Sequence, residues 1–296
     1  MFTVEIKNRV ALKSVLLATD FSPVSEAAFQ YAEAIGRRFG SKLHVVHVFP
    51  PDALKYVPGG AGEVPWDVDE QQAKEKMKHL EDRMNDLPHD ATLVRGDVAE
   101  TIQMLIFAKN ADMVVVGTHG RSGLGRVLFG SVAERVFRKS PCPVLTVGPR
   151  VATDAPHEIG FNRVLFATDF SEASLAGAPY AFSLAQEFQA RLTLMHAVKL
   201  PLEPMESAEV ITSQREKELR NLLPAETDLW CRPEFVVKFG DPAQNILKTA
   251  KEQEADLIVL GVRGATGGVG LATHVADAIA HEVVAQAKCP VLTVRG

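Results

Sequence analysis

The segment Gly117-Thr-His-Gly120-Arg-Ser-Gly123-Leu-Gly125-Arg-Val-Leu-Phe-Gly130-Ser131 gathers residue types suited to holding a phosphate. Glycines let the backbone approach a ligand closely. Free amide N–H groups at the start of a helix favour an anion. Ser131 stands where a helix cap belongs, and its hydroxyl can also reach a phosphate. Arg121 and Arg126 add positive charge to the same stretch. Two better-known phosphate motifs are excluded. A P-loop needs Gly-Lys-Ser or Gly-Lys-Thr, and neither tripeptide occurs. A dinucleotide fingerprint needs G-x-G-x-x-G after the first strand. Here Gly123-Leu124-Gly125 has Leu128 in the third place and follows a later strand. The competing reading is an ordinary glycine-rich surface loop.

Other residues offer weaker chemistry. His274, Asp277 and His281 share one helix face by their spacing and are candidate zinc or nickel ligands, but no Cys or further His lies nearby to complete a site. Exposed polar residues on one face are common, so no metal site is assigned. His47 and His196 sit at equivalent strand positions among apolar neighbours, the setting of a hydrogen-bonded core histidine rather than a base. Cys142 and Cys289 each precede a proline at the start of an apolar run, where packing is the default role. Cys231 is a lone thiol, and with no C-x-x-C pair redox catalysis has no support.

The elements that must position these residues come as a repeat. Ala18-Thr19-Asp20-Phe21-Ser22 recurs as Ala167 to Ser171, and His47 recurs as His196, both 149 residues later. Gly96-Asp97 and Gly117-x-x-Gly120 recur 144 residues on, and Cys142 to Val147 recurs as Cys289 to Val294. The order is kept throughout. The chain therefore divides into a first domain over 1–148 and a second over 161–296, joined by a linker holding Pro149, Pro156 and Gly160.

Each copy alternates strand and helix. In the first, Val15 to Thr19 reads as a buried strand, and Ser22 caps a helix that begins at Pro23 and ends before Gly40. Further strands are expected at Leu43 to Phe49, Thr92 to Arg95, Met113 to Val116 and Val144 to Val147. Helices are expected around Met77, Leu80 and Met84, over Ala99 to Lys109, and over Ser131 to Lys139. The expected fold is α/β: two tandem doubly wound domains, each a five-stranded, mainly parallel sheet with helices on both faces. Ligands of such sheets bind beyond the carboxyl ends of the strands.

Composition removes whole classes of function. Apolar residues make up 46% and charged residues 23%, the balance of a globular protein rather than a disordered one. A net charge of −5 gives no basic footprint for nucleic acid or an anionic membrane. The longest apolar runs are far shorter than the ~20 residues of a membrane span, and Met1 to Lys13 lacks a signal-peptide core. Three cysteines form no disulfide framework, so a cytoplasmic setting is expected.

With these residues in view, the chain resembles the universal stress protein family. ATP-binding members of that family carry G-x2-G-x9-G-[ST] after the fourth strand, and Gly117, Gly120, Gly130 and Ser131 match every fixed place. The resemblance runs through both halves and implies a tandem member. It implies that Asp20 contacts ribose or adenine and that Ala18 and Thr19 line the base pocket, although family members often have proline at Ala18. Val48 would offer its backbone to the ring. Gly117, His119 and Gly120 would wrap ribose and phosphates, with Arg121 nearby, and Gly130, Ser131 and Val132 would hold the outer phosphates with Mg2+. The second half has neither Gly-Ser nor Gly-Thr in either register of its loop, with His274-Val275 or Asp277-Ala278 there instead, so triphosphate binding there is expected to be weak or absent.

The function implied is a cytoplasmic ATP-binding stress-response protein acting as a sensor or regulator, with ADP and AMP as open alternatives to ATP. A slow Mg-dependent ATPase and a ligand-free interaction module are the other readings. No catalytic residue is assigned, because His119 alone lies near the expected phosphates and can simply bind. The apolar strands Val144 to Val147 and Val291 to Val294 are candidate pairing edges. Family dimers form through such strands. The two halves are therefore expected to pair as an intramolecular pseudo-dimer, and whole chains could form a homodimer.

Overall fold

The computed structural model describes residues 10–50, 66–118, 131–151, 160–199, 207–225, 227, 230–263 and 271–296, with backbone alone at 66–69, 131 and 271–277. The first half runs β1 (Ser14–Ala18), α1 (Pro23–Phe39), β2 (Lys42–Phe49), α2 (Trp66–Arg83), β3 (His89–Arg95), α3 (Val98–Ala108), β4 (Met113–Gly117), α4 (Ser131–Lys139) and β5 (Val144–Val147). The second runs β6 (Arg163–Ala167), α5 (Glu172–Leu175), α6 (Ala178–Glu187), β7 (Arg191–Val198), α7 (Ala208–Asn221), β8 (Glu234–Phe239), α8 (Pro242–Glu252), β9 (Leu257–Val262), α9 (Leu271–Gln286) and β10 (Val291–Arg295).

All ten strands share one sheet in the order β3-β2-β1-β4-β5-β10-β9-β6-β7-β8. Pairing is parallel within each half, and β5 and β10 pair antiparallel, with Leu145 opposite Leu292. Period-two alternation sends neighbouring side chains to opposite layers. Val15 and Leu17 pack under α1 and α2 with Phe29, Ile35 and Met84, while Leu16 packs under α3 and α4 with Ile102, Ile106 and Val136. The second half repeats this, with Val164 and Phe166 on the α6 side and Leu165 on the side of α8 and α9. This is the doubly wound α/β architecture expected from the alternation.

Local chemistry sets the element ends. Ser22 Oγ accepts the Ser25 N–H, Pro23 opens α1, and Gly40 ends it at φ 65°. Strand β3 begins three residues earlier than apolar patterning indicates, because His89 to Ala91 join the ladder opposite Leu43 to Val45. As an edge strand, β3 is half-buried and carries polar residues that hide its start. In each half the chain leaves β1 or β6 on one side and returns on the other. The resulting switch point lies at the carboxyl ends of β1 and β4, and of β6 and β9.

Candidate functional site

At the first switch point, β1 delivers Thr19 and Asp20. The Thr19 N–H still donates to Val46 O at 2.9 Å, while its hydroxyl accepts the Phe21 N–H at 3.0 Å. Asp20 Oδ1 accepts from the Ser22 N–H at 3.0 Å and the Ser25 hydroxyl at 2.7 Å. Among the described residues, Asp20 Oδ2 is buried with no hydrogen-bond partner. One carboxylate oxygen is therefore locked to the start of α1, and the other is left with acceptor capacity.

Phe21 follows at φ 60°, a region that bulky residues rarely occupy. Its ring lies 4.7 Å from the His47 ring, and His47 Nδ1 is 2.8 Å from Thr19 O. Phe170 repeats the arrangement at φ 62°, with its ring 4.7 Å from that of His196 and His196 Nδ1 2.8 Å from Thr168 O. Both histidines are buried and clamp the turn that follows β1 or β6. Burial holds the His196 imidazole below its ordinary pKa, so it stays neutral near pH 7. This matches the core-histidine reading.

Gly117 ends β4 against α1. A Cβ there would lie 3.1 Å from Val24 Cγ1 and 3.2 Å from the Ser25 nitrogen. Ala18 and Val48 sit in the same region, Val48 buried and Ala18 half-buried. Helix α4 begins at Ser131, next to half-buried Val132. Arg135 of α4 donates to Asp97 Oδ2 at 2.8 Å, and Asp97 caps α3 through the Glu100 N–H, so the two helices are tied together. His119, Gly120, Arg121 and Gly130 lie outside the described residues, as does the Ser131 side chain.

The second half holds a cavity of about 270 Å³ at its own switch point. Among the described residues, Asp169, Lys199 and Arg263 supply its charges, and Met195, Ile246 and Ile279 are among its apolar walls. Partial desolvation alone would raise the Asp169 carboxyl, but hydrogen bonds from Ser171 and Ser174 and the Arg263 charge outweigh it and lower the pKa. Lys199 escapes motif-based reading. Only the repeat offset exposes it, by aligning it with Pro50.

The remaining candidates sort plainly. His274 and Asp277 have side chains outside the described residues, and His281 Nε2 lies 3.8 Å from Glu134 Oε2 of α4. Among the described residues, no three His, Cys, Asp or Glu converge on a metal position. Burial pushes the Cys289 thiol up to about 12 and raises Cys142 and Cys231, so all three stay protonated at neutral pH. Among the described residues, no helix is long and apolar enough to cross a membrane.

The family model described as the universal stress protein family matches residues 11–148 and again 160–295. The chain belongs to the universal stress protein family. Two matches in succession make it a tandem member. A universal stress protein of Mycolicibacterium smegmatis is 25% identical over 292 residues, covering 95% of this chain and 96% of that protein. One from Methanocaldococcus jannaschii is 33% identical over 142 residues, covering 46% of this chain and 81% of that protein. The crystal structure of a universal stress protein from Archaeoglobus fulgidus superposes with a TM-score of 0.73 at 21% identity, covering 97% of this chain and 98% of that one. That likeness concerns the fold.

Proposed function

We propose that the first half binds one adenine nucleotide, ATP with Mg2+, and that the protein acts in the cytoplasm as a nucleotide-dependent sensor or regulator of a stress response. The observation that carries this reading is the buried, unpartnered Asp20 Oδ2 at the carboxyl end of β1. A ribose hydroxyl would satisfy that acceptor, and an apolar wall including Ala18 and Val48 suits a base. Thr19 shapes the turn through its hydroxyl. Gly117 lets the end of β4 approach the start of α1 closely, which brings the two strand ends of this site together. Gly120, Gly130 and Ser131, with Val132, supply the glycine-rich approach to a helix start that a phosphate needs. His119 and Arg121 are the flanking donors in this assignment. The chain works as a pseudo-dimer of its two halves, with β5 against β10 as their seam.

Mass spectrometry of ligand released from the purified protein tests the reading directly. An adenine nucleotide at about one per chain is expected. Calorimetry showing no ATP binding, or two equivalent tight sites, would overturn it. A turnover assay with Mg2+ then separates a binding protein from a slow ATPase.

A further inference from the structure

The two switch points differ in one element boundary. Helix α4 begins at Ser131, so its first amides have no acceptor within the helix. Aligned through the Cys142 and Cys289 motifs, Ser131 corresponds to Ala278. Helix α9 is already under way there, because it begins at Leu271. Its amides at 278–280 belong to the helix interior and are engaged with carbonyls four residues back. Where the first half has a helix start, the second half has a helix flank, and Ile279 and Ala280 of that flank wall the cavity.

The charges differ as well. Lys199 and Arg263 line the second cavity where the first half carries Pro50 and His119 in sequence. The carboxylate that faces them, Asp169, has Oδ1 occupied by the Ser171 N–H at 3.0 Å and the Ser171 hydroxyl. Neither cation has an ion-pair partner in a salt bridge among the described residues. Among the described residues, two cations against one carboxylate leave the polar side of the cavity positive. The hydroxyl residues Thr168, Ser171 and Ser174 also line it, and most of the remaining wall, including Met195, Ile246, Leu260 and Ile279, is apolar. An apolar cavity of about 150 Å³ is enough for benzene, so about 270 Å³ has room for a body of two rings.

We propose that the second-half cavity is a separate ligand site for a small organic monoanion with an apolar one- or two-ring body, and that it excludes nucleoside triphosphates. The anionic group sits between Lys199 and Arg263, and the rings lie against Met195, Ile246 and Ile279. This site stands independently of the nucleotide reading of the first half.

Calorimetric titration of the full chain with 2-naphthoate tests the proposal, with neutral 2-naphthalenemethanol as control. Saturable binding at one per chain is expected, with the alcohol at least tenfold weaker. The double variant Lys199→Gln, Arg263→Gln should weaken 2-naphthoate at least tenfold, and both positions are exposed enough to tolerate the change. Ala197→Phe, which fills the cavity from β7, should abolish binding. If Ala197→Phe fails to fold, the double variant decides alone. Saturating ATP with Mg2+ should leave the 2-naphthoate isotherm unchanged. Absence of saturable binding, equal affinity in the double variant, or displacement of 2-naphthoate by ATP would each overturn the proposal.

Discussion

A buried carboxylate oxygen without a donor costs free energy that a ligand hydroxyl can recover, and Asp20 Oδ2 is in that position. Its second-half counterpart, Asp169, is exposed and faces a cavity instead. If the nucleotide assignment holds, Asp20→Ala should weaken ATP and adenosine alike. A hydrogen bond to a charged group is worth about 1.5–3 kcal/mol, or roughly 10- to 150-fold. Gly130→Val should weaken ATP far more than adenosine, because a side chain would occupy the approach of the phosphates. Ser131→Ala should be milder, at about 0.5–2 kcal/mol. Titrating both ligands into all three variants checks this. A Gly130→Val protein that binds ATP like its parent would place the phosphate site elsewhere.

At the scale of elements, the strand ends press directly on helix starts. A Cβ at Gly117 meets a Val24 methyl and the backbone of Val24 and Ser25 at just over 3 Å, so a shift of a few tenths of an ångström relieves it. A Cβ at Gly261 would overlap the carbonyl oxygens of Ala173 and Ser174, which are backbone and cannot turn aside. Gly261→Ala is therefore expected to destabilise by more than Gly117→Ala, with overpacking costing about 1–3 kcal/mol. Chemical denaturation of both variants reads the difference, and equal midpoints would contradict it. Far from either switch point, Asp90 fastens β3 to β2 and α3. It takes Lys42 at 3.0 Å, His44 at 2.9 Å and Lys109 at 3.2 Å. Burial alone would raise this carboxyl, but those three hydrogen bonds outweigh it and bring the pKa from 3.8 to about 2. A carboxylate with a depressed folded pKa contributes stability that is full above its unfolded pKa. For Asp90 that contribution is lost as the pH falls from about 4 to about 2. Asp90→Asn should lower stability at pH 7 and flatten this part of the acid limb. Denaturation midpoints between pH 2 and 6 would show it, and an unchanged slope would refute it.

For the whole molecule, the seam between halves is short but continuous with the core. Leu145 and Leu292 face each other across it, both buried. Thr293 donates its hydroxyl to Val144 O at 3.2 Å, and Tyr31 of the first half stacks on Phe161 at 5.9 Å. The Val10 N–H donates to Ser183 Oγ of α6 at 3.1 Å. Separately produced halves, residues 1–150 and 160–296, should therefore combine one to one. Sedimentation of the mixture tests this, and independent monomers at high concentration would count against it. Because the strands run antiparallel across the seam, the two switch points face opposite ends of the sheet. Ligands of different chemistry can then bind without touching.

The sequence alone determined the tandem architecture. The recurrence of Thr-Asp-Phe-Ser and Cys-Pro-Val-Leu-Thr-Val is local and survives without any three-dimensional information. It also determined most element boundaries, because caps such as Ser22 and Gly40 act on their own neighbours. Ser131–Lys139 and Val144–Val147 were both legible from periodicity. The start of β3 was not, because polar His89 and Asp90 pair on a half-exposed edge that only the neighbouring strand defines. Likewise the unpaired oxygen of Asp20 depends on how α1 packs over β1, and the second cavity on where α9 begins. Lys199 and Arg263 lie 64 residues apart in the chain. They line one cavity because parallel pairing of β6 with β7 and β9 brings those strand ends together. Such convergence is a property of long-range register, and no local spacing encodes it.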